Sequence, residues 1–297
     1  MSLPASVKYL GEIGTPQVLV GYLVTDSGVT AMIESGPSSC VEDYLFKASL
    51  TMGSKPNHIA VSHIHVDHSG GAWRAVEKLP EIKISVYEKG YPYLVNPGRL
   101  IESAKQALGA IYEIWGEVRA VPEHAVVSKK SGDTLAVGSK TLKLMDAPGH
   151  APHSSVWYLE SERVLFCGDS LGIYLGDSRK GVLWPTTPPP SYDHGLALDT
   201  IHKLSQLKVE SVCFPHYGYN CDTGPLFDQI KQAYVDWHKI TKACFQEGLS
   251  AEETLDVVLK EVSDYRSVCS DPYRKRLMLM DVSGVLMYHR KHQGSGS

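Results

Sequence analysis

The chain has 297 residues, of which 43% are hydrophobic and 21% are charged, and its formal net charge is -4 at pH 7. This length can bury a large core, and the acidic balance argues against nucleic acid as the main partner. The first residues lack a charged segment followed by an apolar one, and no apolar run could span a bilayer, so we expect a cytoplasmic protein that does not act at a membrane.

The first part of the chain reads as strands with short helices between them. Strands are predicted at residues 17–24 and 29–34, because β-branched and apolar residues flank a turn sequence at 25–28. The pattern then predicts a helix at 41–50, a strand at 58–62, a helix at 71–78 and a strand at 82–87.

Residues 99–115 are predicted to form one helix, because apolar residues recur there at helical spacing. The segment from about 91 to 116 is expected to be an insertion near the functional site. Its aromatic residues Tyr91, Tyr93 and Trp115 either line a substrate pocket or pack the insertion onto the body. The sequence leaves both alternatives open.

The second part continues with predicted strands at 141–146, 155–159, 164–167 and 209–214 and a helix at 196–206. Alternation of strands and helices indicates an α/β architecture. Three amphipathic helices are predicted after residue 224, the second starting at a capping box (Ser250 with Glu253) and the third at Asp271 followed by Pro272.

The predicted organisation is a catalytic domain at 1–224, a helical subdomain at 225–292 and a flexible tail at 293–297. The terminal helices cover the site, mediate a homodimer, or both, and the insertion is a second candidate for the dimer interface. The six scattered cysteines are expected to be free thiols.

A dense group of metal-ligand residues follows the strand predicted at 58–62. The sequence His63-Ile64-His65-Val66-Asp67-His68 places three imidazoles and a carboxylate within six residues. On an extended segment His63 and His65 face the same side, with Asp67 following if the chain stays extended. His68 then points elsewhere, as a second metal beside the first would require. Imidazole and carboxylate ligands suit zinc, and also iron or manganese.

Three further candidate ligands, His150, Asp169 and His216, each come shortly after a predicted strand. In layered α/β folds sites form at that edge of a sheet. With the first group, these residues have the order and spacing of the metallo-β-lactamase superfamily, which the chain resembles over roughly residues 15–220. Within it, the pattern is most similar to the branch of glyoxalase II, the lactonases and the quinolone-signal-response thioesterase.

The resemblance implies a four-layer αβ/βα sandwich, here with a C-terminal helical extension, and two divalent metal ions at one edge. Zinc is the first expectation for these ions, with iron, manganese and cobalt as alternatives. The first ion would be held by His63, His65 and His150. The second would be held by Asp67, His68 and His216, and Asp169 would bridge both. Many relatives have Asp where this chain has Glu34, for which a supporting role is expected.

The expected function is hydrolysis of a small ester-type substrate by a metal-bound hydroxide. The substrate would be a thioester, a lactone, or a phosphodiester or phosphotriester. Asp67 is the candidate catalytic residue, because it can ligate the second metal and orient the nucleophile. Two alternatives remain open: a mononuclear-iron persulfide dioxygenase, and a signalling protein that acts through its C-terminal helices.

Candidate substrate contacts come from aromatic residues near the ligands. Tyr217 follows His216 directly, and a stiff proline-rich loop at 184–192 is expected to form a fixed pocket wall. The candidate substrate-binding residues are Tyr174, Trp184, Tyr192 and Tyr217. His153, three residues after His150, is expected either to support a ligand or to shape a turn.

Overall fold

The computed structural model describes residues 2–14, 19–176 and 181–293. A first six-stranded sheet has its strands in sequence order, and β3 to β6 run parallel. Its strands are β1 (Val7–Ile13), β2 (Leu19–Asp26), β3 (Val29–Ile33), β4 (His58–Ala60), β5 (Lys83–Tyr87) and β6 (Val126–Lys129). The helices in this half are α1 (Val41–Met52), α2 (Val66–Ser69), α3 (Ala72–Lys78), α4 (Tyr91–Val95), α5 (Gly98–Leu108) and α6 (Ala110–Trp115).

A second six-stranded sheet follows, and a two-stranded hairpin lies apart from it. The strands are β7 (Thr134–Val137), β8 (Lys140–Asp146), β9 (Ser155–Leu159), β10 (Val164–Phe166), β11 (Ile173–Gly176), β12 (Gly181–Trp184), β13 (Ser211–Phe214) and β14 (Gly218–Asn220). The sheet order is β14-β13-β10-β9-β8-β7, and β11 pairs with β12 in the hairpin. The helices are α7 (His194–Ser205), α8 (Thr223–Gln246), α9 (Ala251–Glu261), α10 (Asp264–Val268) and α11 (Pro272–Lys291).

Three clusters of buried apolar side chains separate the layers. The middle cluster joins the facing sides of the two sheets and includes Tyr22 and Trp157, both almost fully buried. The indole N–H of Trp157 donates to the carbonyl of Val61, 3.0 Å away, which ties one sheet to the other. The outer clusters lie between each sheet and its helices. The predicted four-layer αβ/βα sandwich with C-terminal helices is therefore confirmed.

The helix predicted at 99–115 is in fact two helices. Gly109 has φ 54° and ψ -125°, a backbone conformation that ends α5 and starts α6. A side-chain pattern cannot reveal this break, because the apolar spacing continues through it. Strands β1, β6, β7 and β14, the β11–β12 hairpin and the short helices α2, α4 and α10 are also absent from the predicted elements, so the described chain has four helices after residue 224 where three are predicted. Of the predicted segments, residues 17–18 and 294–297 lie outside the described residues.

The C-terminal helices pack against the second sheet. Trp237 of α8 and Met278 of α11 are buried in the same cluster as Leu165 of β10. The capping box at Ser250 is present, with both hydrogen bonds to Glu253 formed. The division of the chain near residue 224 stays a prediction. In the part of the chain that the structure covers, no helix is both long and apolar enough to cross a membrane.

Candidate metal centre

The loops that follow the strands bring all seven predicted ligands to one edge of the sandwich. His63 and His65 lie in the loop after β4, and the chain then turns into α2 at Val66. Asp67 therefore sits on a helical turn with His68, and the extended backbone considered for it is wrong. Gly149 has φ 129°, and a Cβ there would lie 2.4 Å from the Cα of Ala197. Only glycine lets the chain pass α7 so closely before His150.

Three imidazoles form the first group of donor atoms. The Nδ1 atom of His65 lies 3.0 Å from Nε2 of His63 and 2.9 Å from Nε2 of His150. Two nitrogen ligands of one tetrahedral zinc, each at its usual bond length, stand about 3.3 Å apart. The three nitrogens are thus already spaced nearly as ligands of a single ion.

The second group combines Asp67, His68 and His216. Oδ2 of Asp67 lies 3.5 Å from Nε2 of His68 and 3.6 Å from Nε2 of His216. Asp169 faces both groups: its Oδ1 lies 3.5 Å from each of these Nε2 atoms, and its Oδ2 lies 3.6 Å from Nε2 of His150. One carboxylate thus offers an oxygen to each group, as a bridging ligand requires.

Three buried polar atoms at the centre make no hydrogen bond within the described chain, although groups of opposite charge face them at 3.4 or 3.5 Å. Both ring nitrogens of His68 and Oδ1 of Asp169 are buried and accept or donate no hydrogen bond. Each buried polar atom without a partner costs about 1–3 kcal/mol. A divalent cation would satisfy Nε2 of His68 and Oδ1 of Asp169 together. The donor set of imidazoles and carboxylates also suits zinc or iron, so these residues fit a metal site.

The charge state of the centre matches this role. Burial and the neighbouring imidazoles hold the pKa values of His63 and His65 well below the usual range, which keeps both rings neutral. Burial would raise the pKa of Asp169, but the imidazoles of His68 and His216 hold it well below its usual range. Burial alone would lower the pKa of His68, but the carboxylates of Asp67, Asp169 and Glu34 raise it well above its usual range. A cation bound there would displace protons.

Hydrogen bonds on the outer side of the ligands orient them. Oγ of Ser62 lies 2.9 Å from Nδ1 of His63, and Oγ1 of Thr186 lies 3.1 Å from Nδ1 of His150. The Thr186 hydroxyl donates to the backbone carbonyl of Asp169. Because Nδ1 of each of these rings is engaged by a hydroxyl, its Nε2 is left to face the centre.

Glu34 supports the second group as the sequence suggested. Its Oε1 lies 3.4 Å from Nδ1 of His68, and its Oε2 accepts a hydrogen bond from the backbone N–H of Ser62 at 3.0 Å. His153, by contrast, has no hydrogen-bond partner for its buried Nδ1 among the described residues. Its ring lies edge-on to that of His65, with centroids 5.3 Å apart.

A cavity of about 810 Å³, counted with its open mouth, lies directly above the ligands. The floor is formed by His65, Asp67, His150, Asp169 and His216. The walls come from α5, α6, the proline loop and the terminal helix α11. The indole N–H of Trp115 on α6 donates to the hydroxyl of Tyr273 on α11, 2.9 Å away, and joins two of these walls. Of the terminal helices, α11 therefore forms part of the wall of the site among the described residues.

Of the four predicted substrate contacts, only Tyr217 lines this cavity. Tyr174 stacks on Phe214 of β13 and accepts a hydrogen bond from Asn220 of β14. Trp184 lies on the opposite face of the β11–β12 hairpin and is equally buried. The Tyr192 hydroxyl bonds Nδ1 of His194 instead. None of these three side chains lines the cavity, and their assignment to substrate binding stays a prediction.

Some residues of the cavity wall agree with the expectations from the sequence, and others were not expected. Pro188 and Pro189 of the proline loop line the cavity, and so does Trp115 of the insertion. Tyr93 lines a neighbouring groove, whereas Tyr91 packs against the core. The residues that sequence reasoning missed are Thr186 and, on α11, Tyr273, Leu277, Met280 and Asp281. No local pattern marks them, since each acts through contacts distant in the chain.

Comparison with known proteins gives consistent matches. A family model described as "Metallo-beta-lactamase superfamily" matches residues 15–216. The metallo-beta-lactamase fold-containing protein ST1585 of Sulfurisphaera tokodaii is 28% identical over 227 residues, which are 73% of this chain and 77% of that protein. The crystal structure of the archaeal ST1585 protein aligns with a TM-score of 0.64 at 25% identity, covering 76% of this chain and 85% of that chain.

Two further matches bear on function and on fold. A hydroxyacylglutathione hydrolase of Hamiltonella defensa is 26% identical over 197 residues, which are 66% of this chain and 61% of that enzyme. The metallo-beta-lactamase family protein TTHA1429 of Thermus thermophilus has a TM-score of 0.73 at 18% identity, covering 98% of this chain and 95% of that chain. The latter likeness concerns the fold alone and extends over the C-terminal helices.

Proposed function

This chain belongs to the metallo-beta-lactamase superfamily, and from that premise we propose that it is a hydrolase with two divalent metal ions that cleaves a thioester. The superfamily is hydrolytic, and the His and Asp groups of this chain are able to bind metal. The observation that carries the proposal is the position of Asp169, whose two oxygens face two separate groups of donors at the floor of one cavity.

The chain's own residues would hold, orient and shield the reacting groups. His63, His65 and His150 would hold one divalent ion and Asp67, His68 and His216 the other, and such ions would supply a water of lowered pKa and polarisation of the substrate carbonyl. Asp67 lies at the boundary between donors and cavity, where its carboxylate can accept a hydrogen bond from the attacking water. Pro188, Trp115 and Leu277 narrow the cavity above it and limit the entry of bulk water.

The cavity favours an acyl substrate over a phosphate ester. Among its lining residues in the described chain there is no Lys or Arg to bind a phosphoryl group. A thiol has a pKa of about 8.5, so a thiolate leaves without help from a general acid. The hydroxyacylglutathione hydrolase relative has an acyl-thiol substrate in its name, which supports the same choice.

A substrate panel tests the proposal. Protein reconstituted separately with zinc, manganese, cobalt and iron would be assayed on thioesters, lactones, phosphodiesters, phosphotriesters and a persulfide. We expect thioester hydrolysis that needs two ions per chain and disappears in Asp169→Ala. His202→Ala is the matched control, because His202 is exposed and belongs neither to the donor groups nor to the cavity lining. One iron per chain with oxygen uptake on the persulfide would contradict the proposal.

A further inference from the structure

Two different spaces meet above the metal centre. The first, the apolar chamber, is the part of the cavity between α5 and α11, and its lining includes Leu100, Ala104, Ala107, Ile173, Leu277 and Met280. The second, the basic groove, lies next to the chamber along α5, and its lining includes Lys89, Asn96, Arg99, His153 and Ser191. The proposed reaction does not by itself explain the second space.

The two spaces share part of their lining. The residues that line both are His65, Leu100, Ser103, His150, Pro188 and Pro189. An extended substrate that passes between these walls would place its middle over the first group of donors. Its two ends would then meet surfaces of opposite character.

Unpaired positive charge marks the basic groove. Lys89 and Arg99 are exposed, and neither has a carboxylate within 4.0 Å among the residues the structure describes. Lys291 approaches the same rim, where its ammonium group donates to the carbonyl of Pro190. No Asp or Glu is found among the described residues that line the groove. The charge is local, because the whole chain carries a net charge of -4.

Resting on the proposed thioesterase function, we infer that the apolar chamber takes the acyl chain and the basic groove takes a phosphorylated thiol carrier of the coenzyme A type. The thioester carbon would lie over His65 and His150. Water supplies the oxygen of the new C–O bond, and the C–S bond breaks. One proton of the water goes to the leaving thiolate and the other is released to solvent, so the products are the carboxylate, the thiol and one proton.

The test compares one acyl series on two thiols. Acetyl, butyryl, hexanoyl and octanoyl groups would be carried either by coenzyme A or by neutral N-acetylcysteamine. We expect kcat/KM to rise about fourfold for each added methylene in both series, because each is buried in the apolar chamber. In Ala107→Phe the rise in kcat/KM should stop at shorter acyl chains than in the unchanged protein, and it should do so in both thiol series.

Removal of the two cationic side chains tests whether the basic groove binds the carrier. In Lys89→Ala/Arg99→Ala we expect KM for acyl-coenzyme A to rise about tenfold, with KM for the N-acetylcysteamine series unchanged. Lys105→Ala is the matched control on α5, because Lys105 is exposed but lines neither space. Metal-free protein should bind free coenzyme A in calorimetry, with an affinity that falls with added salt and in the double variant.

The outcomes separate the two proposals. Hydrolysis of both series with no effect of the double variant on KM or on calorimetric binding would overturn the carrier inference and leave the thioesterase intact. Greater activity on acyl-glutathione or on an acylated carrier protein would also overturn it. Absence of thioester hydrolysis, with coenzyme A still bound through Lys89 and Arg99, would instead refute the proposed function.

Discussion

The Thr186→Val substitution would remove the hydroxyl that links two candidate ligands without changing the shape of the side chain. That hydroxyl lies 3.1 Å from Nδ1 of His150 and donates to the carbonyl of Asp169 at 3.0 Å. Loss of a hydrogen bond that orients a ligand typically costs 10–100-fold in metal affinity, or about 1.4–2.7 kcal/mol. We expect zinc affinity, measured by competition with a chromophoric chelator, to fall within about that range.

Thr187→Val provides the matched control one residue away. The Thr187 hydroxyl donates to the carbonyl of Asp281 at 2.7 Å and lies 3.2 Å from the indole nitrogen of Trp237, so it ties the loop to α11 and α8. Its loss should lower the free energy of unfolding by about 1–3 kcal/mol while zinc affinity stays unchanged. Equal losses of zinc affinity in the two variants would refute the assignment of Thr186 as the residue that orients His150.

Three further predictions follow from single residues or small groups. Asp169→Ala should lose metal and activity together, since one carboxylate faces both donor groups; unchanged metal content by elemental analysis would contradict this. Gly284→Ala should lower the Tm by several degrees, because its Cβ would lie 1.9 Å from the Thr187 carbonyl oxygen, whereas Gly195→Ala has room and should not. Burial and nearby histidines lower the pKa values of His194 and His289 to about 4, so both stay neutral in the fold. The unfolded chain then binds more protons, and stability of the metal-free protein should fall as pH drops from about 6.5 towards 4; a His194→Gln/His289→Gln variant whose thermal scans keep the full decline would argue against this.

Much of the centre could be predicted because its residues are local in the chain. His63, His65, Asp67 and His68 occupy six positions, and the apolar strand before them fixes where that loop leaves the sheet. His150, Asp169 and His216 likewise follow strands of the second sheet closely enough to be read one by one. The capping box at Ser250 and the start of α11 at Asp271 were equally predictable, because a helix cap depends on neighbours three residues apart.

The walls and supports of the site were decided only by the tertiary structure. Thr186 meets His150 across 36 residues, and Trp115 meets Tyr273 across 158. Tyr174 and Trp184 look like pocket residues in the sequence, but both are buried in the core, on opposite faces of the β11–β12 hairpin. Sequence pattern records the periodicity and end signals of each element, and these arise from forces within a few residues. Burial of an apolar face is favourable whichever element covers it, so the sequence pattern does not specify the partner. Which distant elements close over the site is therefore decided by how the whole layers pack.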